Sequence, residues 1–352
     1  MYLDNAATTK IHPDVMATMQ EVSYANYNAK YYEEALLVQK QVDQAINAIA
    51  KMFNISDQAL VFTSGATESN NYIIKGMFEL FPDKHFVTST IEHKCVLATF
   101  KYIETKGARV TYVKPNNQGQ ITKHAVASMC NQDTVFISIM HVNNETGVIN
   151  DIAEIQAYAK QNEIYFHSDA VQSLGKTPLN FADYDFLSFS GHKVHGPKGI
   201  GLAVNNTSLE IPSLIHGSDQ QHGHRAGTLP NELIVGLAKA VELILKQGNE
   251  LLIKNKEFVI NMFADSFGED LVVNFHDVPT VDSIISMRLV GEVNQIFLEE
   301  NKEMIKASTG SSCSINNPSY VLQECGFTKQ MIQETIRISV NKYDDLSELV
   351  SN

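Results

Sequence analysis

Short apolar runs alternate with helical patterns along the first part of this chain, and that alternation limits its fold more than any other feature. Leu60-Val61-Phe62-Thr63, Phe86-Val87-Thr88, Val110-Thr111-Tyr112-Val113, Val135-Phe136-Ile137-Ser138-Ile139, Ile164-Tyr165-Phe166-His167 and Phe186-Leu187-Ser188-Phe189 read as buried strands. Helical segments such as 67–80, 93–106 and 151–162 lie between most of them. Strands joined through helices pair in parallel, because a parallel crossover needs the length a helix supplies. Both faces of such a sheet are covered, so its strands are apolar throughout. The expected class is α/β, with a mostly parallel sheet in a large domain over residues 11–249. A long helical stretch runs from about Asn231 to Phe267, and the pattern then turns to α+β, with strands near 271–275, 282–290 and 334–340. That predicts a smaller domain over 250–352, joined by residues 1–10. No proline-rich linker separates the two, so they are expected to pack closely.

Ligands of open α/β sheets bind beyond the carboxyl ends of the strands. The polar residues of interest follow those ends: Thr63 to Thr67, His141 to Asn144, Asp169, and Ser190 to Lys193. In Ser188-Phe189-Ser190-Gly191-His192-Lys193-Val194-His195-Gly196-Pro197-Lys198-Gly199-Ile200-Gly201, one lysine follows an apolar run among small residues. A lysine in a dry pocket loses proton affinity and can form a Schiff base. The small residues let a phosphate approach, and Ser190 and His192 can bond it. The arrangement suits pyridoxal phosphate (PLP); the alternative is a surface lysine in a loop.

The other candidates each carry a bland alternative. Gly65-Ala66-Thr67-Glu68-Ser69-Asn70-Asn71 joins a strand to a helix, whose N-terminus can hold a phosphate or simply be capped. Asp169 in His167-Ser168-Asp169-Ala170-Val171-Gln172 can pair with a pyridinium, and Gln172 with the ring's phenolic oxygen, or Asp169 can cap the next helix. His93 can stack on a cofactor and move protons, or be structural. Arg225 and Arg337 are two of only four arginines. Arg337 can hold a carboxylate and Arg225 a phosphate or a subunit contact; either can be a surface ion pair. Cys313 sits in Ser308-Thr309-Gly310-Ser311-Ser312-Cys313-Ser314, which reads as a polar loop, so its thiol is a candidate nucleophile. Cys325 and Cys130 are expected in the core, and Cys95 is ambiguous. The four cysteines lie far apart without metal-ligand spacing, and no metal is expected.

The formal charge of −13 opposes binding to nucleic acid or to anionic membranes. The start, Met1-Tyr2-Leu3-Asp4-Asn5, has neither a basic nor an apolar run, and no segment nears the ~18 apolar residues of a membrane span. A cytoplasmic protein is expected.

Taken in order, these segments resemble the cysteine desulfurases of the class V aminotransferase group, which are fold-type-I PLP enzymes. The resemblance runs from Tyr2-Leu3-Asp4-Asn5-Ala6-Ala7-Thr8-Thr9 through Gly65 to Asn71, Glu92-His93-Lys94 and Met140-His141-Val142-Asn143-Asn144-Glu145-Thr146-Gly147. It continues through Asp169 to Gln172, Ser190 to Gly201, Arg225 to Thr228, the Cys313 loop and Arg337. It implies that Lys193 carries PLP and moves protons, with Asp169 on the pyridinium, Gln172 on the phenolic oxygen and His93 stacked on the ring. Ala66, Thr67, Ser190 and His192 would complete the cofactor site, and Thr228 would reach the phosphate of a neighbouring subunit in a homodimer. Asn144 and Arg337 would hold the carboxylate of L-cysteine. Cys313 would take its sulfur as a persulfide, leave L-alanine, and pass the sulfur to an acceptor protein for tRNA thiolation or iron–sulfur assembly. The family's usual Leu-Gly-Arg after the carboxylate arginine is Val340-Asn341-Lys342 here, and 26–31 and 216–221 also depart from its pattern. The other readings are a selenocysteine lyase or related class V activity, and a PLP-binding regulatory subunit with little turnover.

Overall fold

The computed structural model describes residues 1–310 and 318–350. The chain opens with helices α1 (Pro13–Gln20) and α2 (Glu33–Phe53). It then alternates: β1 (Leu60–Thr63), α3 (Ala66–Leu80), β2 (His85–Ser89), α4 (Lys94–Glu104), β3 (Arg109–Val113), α5 (Lys123–Met129), β4 (Thr134–Ser138), α6 (Ile152–Gln161), β5 (Tyr165–Asp169), β6 (Phe186–Ser190) and β7 (Gly201–Asn205). Helices α7 (Asn231–Lys246) and α8 (Glu250–Phe267) lead to β8 (Leu271–Val273), β9 (Ile284–Leu289), α9 (Asn294–Glu300), α10 (Tyr320–Glu324), α11 (Lys329–Gln333), β10 (Thr335–Ser339) and α12 (Leu346–Val350).

Seven strands form one sheet in the order β1-β7-β6-β5-β4-β2-β3. Only β7 is antiparallel to its neighbours, so the carboxyl ends of the other six share one edge. Apolar layers cover both faces. One holds Phe53, Phe166, Leu187 and Val241; the other holds Ile73, Phe86, Phe100 and Phe136. Helix α2 shows why it belongs there: Ala35, Val38, Val42, Ala45, Ile49 and Phe53 recur at helical spacing and are all buried, and Asn54 ends the helix at φ 55°. Phe53 then stacks on Phe181 with ring centroids 3.8 Å apart.

The second sheet, β10-β9-β8, is antiparallel and has its own apolar cluster with Leu252, Phe263, Met287 and Ile336. Leu3 belongs to that cluster, and Tyr2 and Asp4 bridge to Lys306 and Ser339. The first residues of the chain therefore run beside β10. Two expectations need correction. The helical stretch from Asn231 to Phe267 is two helices, broken at Gln247-Gly248-Asn249. Cys130 is half-buried at the end of α5 rather than a core residue, because the strand-like turn there leaves one side open.

The core of the main sheet also holds a neutral histidine. His167 on β5 lies between Ser138 Oγ at 2.8 Å and Ser188 Oγ at 3.0 Å. Burial pushes its pKa down to about 3. His141 is pushed down to about 4, again by burial, against an opposing pull from Asp151. In the unfolded chain both would titrate near 6.5. Their contribution to stability is thus complete above that pH and is lost as pH falls toward 4. Urea unfolding of the apoprotein should show stability falling between pH 6.5 and 4.5, by up to about 1 kcal/mol per pH unit for each such histidine. His167→Asn should flatten that slope.

Candidate active site

At the shared strand edge lies a cavity of about 530 Å³, lined from both sheets and from the N-terminal segment. Its floor begins where β1 turns into α3. Gly65 has φ +153°, and a side chain there would project toward Ser190 Oγ, 3.7 Å from an added Cβ. On the neighbouring strand, a Cβ on Gly201 would come within 2.5 Å of Gly65 Cα. Only bare backbone allows the two turns to meet this closely. Thr63 Oγ1 donates to Gly65 O at 3.0 Å and lies 2.7 Å from Ser69 Oγ, which fixes the turn. The N-terminus of a four-turn helix, with Ala66 and Thr67 at its mouth, then faces the cavity beside Ser190 and His192. The combination suits a phosphate, because unpaired N–H groups and the helix dipole both favour an anion.

Lys193 stands on the turn between β6 and β7. Its Nζ donates to Ala6 O at 2.5 Å and Ala7 O at 2.8 Å. The N-terminal segment is laced to that turn: Thr9 Oγ1 donates to His192 O at 3.0 Å and accepts from the His195 N–H at 2.8 Å. His192 Nδ1 lies 3.1 Å from Thr8 Oγ1. Burial, then the charges of Lys193, Lys198 and Lys176, pushes the His192 pKa down to about 4, so it is neutral at physiological pH.

Asp169 closes β5 and is 6% exposed. Its Oδ1 accepts from the Val171 N–H at 3.1 Å and its Oδ2 from Asn70 Nδ2 at 2.8 Å. Asn70 Nδ2 also donates to Cys95 Sγ at 3.3 Å, and Cys95 Sγ lies 3.0 Å from His93 Nδ1. Burial, then Asp169, pushes the Cys95 thiol up to about 12, which leaves it a hydrogen-bonding group and not a nucleophile. His93 caps α4, its Nδ1 accepting from the Cys95 N–H at 3.2 Å. Burial lowers its pKa, opposed by Asp169 and helped by Lys193 and Lys94.

Arg337 enters from β10 and is 2% exposed. Nη2 donates to Asp4 Oδ1 at 2.7 Å, and Nη1 to Asn144 O at 3.0 Å and Gly310 O at 3.3 Å. Glu145 stands beside it, accepting from Ser319 Oγ at 2.5 Å. Its carboxyl is raised by burial, opposed by Ser319, Arg337 and Lys94.

Lys193, His93, Ala66, Thr67, Asn144, Asp169, Gln172, Ser190, His192 and Arg337, all expected from the sequence, line this one cavity. Thr228 does not line it and is exposed. Cys313 lies outside the described residues. Arg225 is paired within the chain: its Nε donates to Glu68 Oε1 at 2.9 Å. Burial pushes Glu68 up, but hydrogen bonds from Arg225 and Ser64 outweigh that and lower its pKa. Asn70 and Asp4 were not singled out from the sequence, although both lie inside quoted motifs. Among the described residues there is no cluster that could hold a metal ion, and no helix is long and apolar enough to cross a membrane.

The cavity fits PLP by its own chemistry. A glycine cradle that a Cβ would fill, a buried carboxylate, a flanking histidine and a lysine amine on the strand edge meet the needs of phosphate, pyridine nitrogen, ring face and carbonyl carbon. The comparisons agree. The family profile of class-V aminotransferases matches residues 1–350. The cysteine desulfurase IscS of Buchnera aphidicola subsp. Acyrthosiphon pisum (strain 5A) is 34% identical, over 99% of this chain and 90% of its own. The IscS of Shewanella sp. (strain W3-18-1) gives the same figures. Among solved structures, a NifS-like protein superimposes with a TM-score of 0.90 at 30% identity, covering 100% of this chain and 96% of its own. A structure titled SspA in complex with cysteine gives 0.87 at 35%, covering 97% and 99%. The chain belongs to the class-V aminotransferase family and, within it, to the PLP-dependent cysteine desulfurases.

Proposed function

We propose that the chain takes sulfur from L-cysteine, releases L-alanine, and passes the sulfur through Cys313 to an acceptor protein. The observation that carries this is the convergence of Lys193, Asp169 and Arg337 on one cavity from three separate stretches of chain. PLP, when bound, supplies the electron sink for charge at the substrate carbons. Lys193 would hold it covalently, Asp169 would keep its ring nitrogen protonated, and Gln172 would meet its phenolic oxygen. Gly65, Ala66, Thr67, Ser190 and His192 would take the phosphate. His93 would lie on the ring face, neutral and able to accept a proton. Arg337 and Asn144 would orient the substrate carboxylate, with Arg337 trading its contact to Asp4 for the substrate. Cys313 Sγ, as thiolate, would attack the substrate sulfur. The sulfur–carbon bond would break with its electron pair on carbon, a proton there would complete the methyl group of alanine, and the sulfur would stay on Cys313 as a persulfide. An acceptor thiol would then remove it.

Several finer statements belong to the same reading. Residues 11–249 would form the larger unit, and 250–352 with 1–10 the smaller one; the bridges from Tyr2 to Lys306 and from Asp4 to Ser339 on β10 support that division. Two copies would pair, with Thr228 reaching the neighbour's phosphate. The protein would work in the cytoplasm, with an acceptor serving tRNA thiolation or iron–sulfur assembly.

The test is release of alanine and sulfide in equal amounts from L-cysteine with a thiol reductant. PLP-loaded protein that releases neither overturns the proposal. A second variant probes substrate binding. Arg337→Ala should raise KM for L-cysteine by about 10- to 100-fold with a smaller change in kcat, as expected for losing a charge-assisted pair worth ~1.5–3 kcal/mol. Steady-state kinetics would show it, and an unchanged KM would move the carboxylate elsewhere.

A further inference from the structure

Gln172 and Lys176 stand four residues apart just beyond β5. Gln172 lines the cofactor cavity; Lys176 does not, and both line a separate small void with Asn5, His195 and Lys342. Lys176 Nζ donates to Gln172 Oε1 at 3.0 Å. Gln172 Nε2 donates to Ala6 O at 3.0 Å, the same carbonyl that receives Lys193 Nζ. An ammonium has no acceptor and a carbonyl has no donor. These two partners therefore decide which end of the amide is oxygen and which is nitrogen. One hydrogen on Nε2 remains for the cavity. Gln172 is 3% exposed, so water does not compete for the amide.

We infer that Lys176 is a positioning residue for the cofactor: it locks the Gln172 amide with its N–H toward the cavity, making Gln172 a donor to the phenolic oxygen of PLP. Without Lys176 the amide oxygen loses its donor, and the bond to Ala6 O alone is left to hold the amide against a turn that would present oxygen to oxygen. Lys176 acts this way as the ammonium, the form with no lone pair. Burial, then repulsion from Lys193 and Lys342, pushes its pKa down to about 7. Its charged surroundings are Lys193, His192 and His195 from the turn after β6, and Lys342 with Glu250 from the segments after β10 and at the start of α8.

The inference rests on the cofactor placement proposed above, and the experiment separates the two. A donor at the phenolic oxygen favours its anionic form and weakens its hold on the proton at Lys193 Nζ. Losing the donor, or the nearby positive charge, holds that proton more tightly. The visible absorbance of the PLP-loaded protein is titrated with pH for wild type, Lys176→Met, Gln172→Leu and the double variant. The midpoint should rise by about one pH unit in each single variant. The double variant should rise no further than Lys176→Met alone, because that change already removes both the charge and the fixed donor. A Lys176→Met midpoint equal to wild type, with Gln172→Leu displaced, overturns the role of Lys176 and leaves the cofactor placement standing. Absence of any visible band from PLP-loaded wild type overturns the placement itself. If Lys176→Met does not fold, Lys176→Arg decides: it keeps donors for the amide, so a wild-type midpoint supports the inference and a displaced one overturns it.

Discussion

Lys193→Ala should abolish the visible band of bound PLP and lower turnover of L-cysteine by more than about 10³-fold, the scale for removing a group that is both covalent anchor and proton carrier. The geometry explains the size. Lys193 is the amine placed on the strand edge between the phosphate cradle and Asp169, and its Nζ rests on two backbone carbonyls, Ala6 and Ala7. Both carbonyls are neutral, so giving up these two bonds breaks no charge pair with them. Of the neighbouring lysines, Lys176 is committed to Gln172, Lys198 is exposed on the rim, and Lys94 opens helix α4 beside His93. The fold should survive, because the turn is held by Thr9 and His192 rather than by the lysine. Absorbance spectra and a thermal melt of the same sample test both halves. A retained visible band would remove Lys193 from the cofactor.

Cys313→Ala should keep the visible band and its response to L-cysteine while sulfide release falls by at least about 10²-fold, since the acceptor of sulfur is gone and the cofactor site is not. The other thiols do not offer a substitute. Cys95 is held by Asn70 and His93 with its thiol pushed up to about 12. Cys325 is buried at the end of α10 and likewise pushed up to about 12, by burial and then Glu145 and Glu324. Cys130 sits at the end of α5 and does not line the cavity. A thiolate is the attacking species, and thiols raised this far supply almost none near neutral pH. Sulfide and alanine assays on wild type and Cys313→Ala side by side would decide it. Full release by the variant would place the sulfur elsewhere and favour a related class V activity.

The strands of the main sheet were legible because a sheet covered on both faces leaves continuous apolar runs, and the six predicted runs lie on or within a residue of β1 to β6. β7 was not, because Gly201-Leu202-Ala203-Val204 reads as an extension of a glycine-rich loop. The single helix drawn from Asn231 to Phe267 failed for a local reason. Periodicity continues across Gln247-Gly248-Asn249, yet the backbone leaves the helix at Gln247, which is extended, just before a residue of poor helix propensity, Gly248. The cavity residues drawn from motifs did come together, since motif and strand end coincide in this architecture. Asn70 and Asp4 were overlooked because their use is tertiary. Asn70 matters through a carboxylate 99 positions away, and Asp4 through an arginine 333 positions away. Lys342 shows the same limit. Sequence marks it only as a departure from a family pattern, whereas the fold buries it against the carbonyls of Gly175, Ile244 and Gln247, where it caps the end of α7.

The threading of the first residues beside β10 bears on how the protein is made. Leu3, Asn5 and Ala6 are held by Ser339 through its backbone and its hydroxyl, and Ala6 is the resting place of Lys193. A nascent chain that has exposed every loop around the cofactor has the bonds that Gln172 and Thr9 make to hold this segment, and still lacks the clasp from Ser339. A product truncated before Ser339 therefore keeps the cradle and loses this clasp on the segment that receives Lys193.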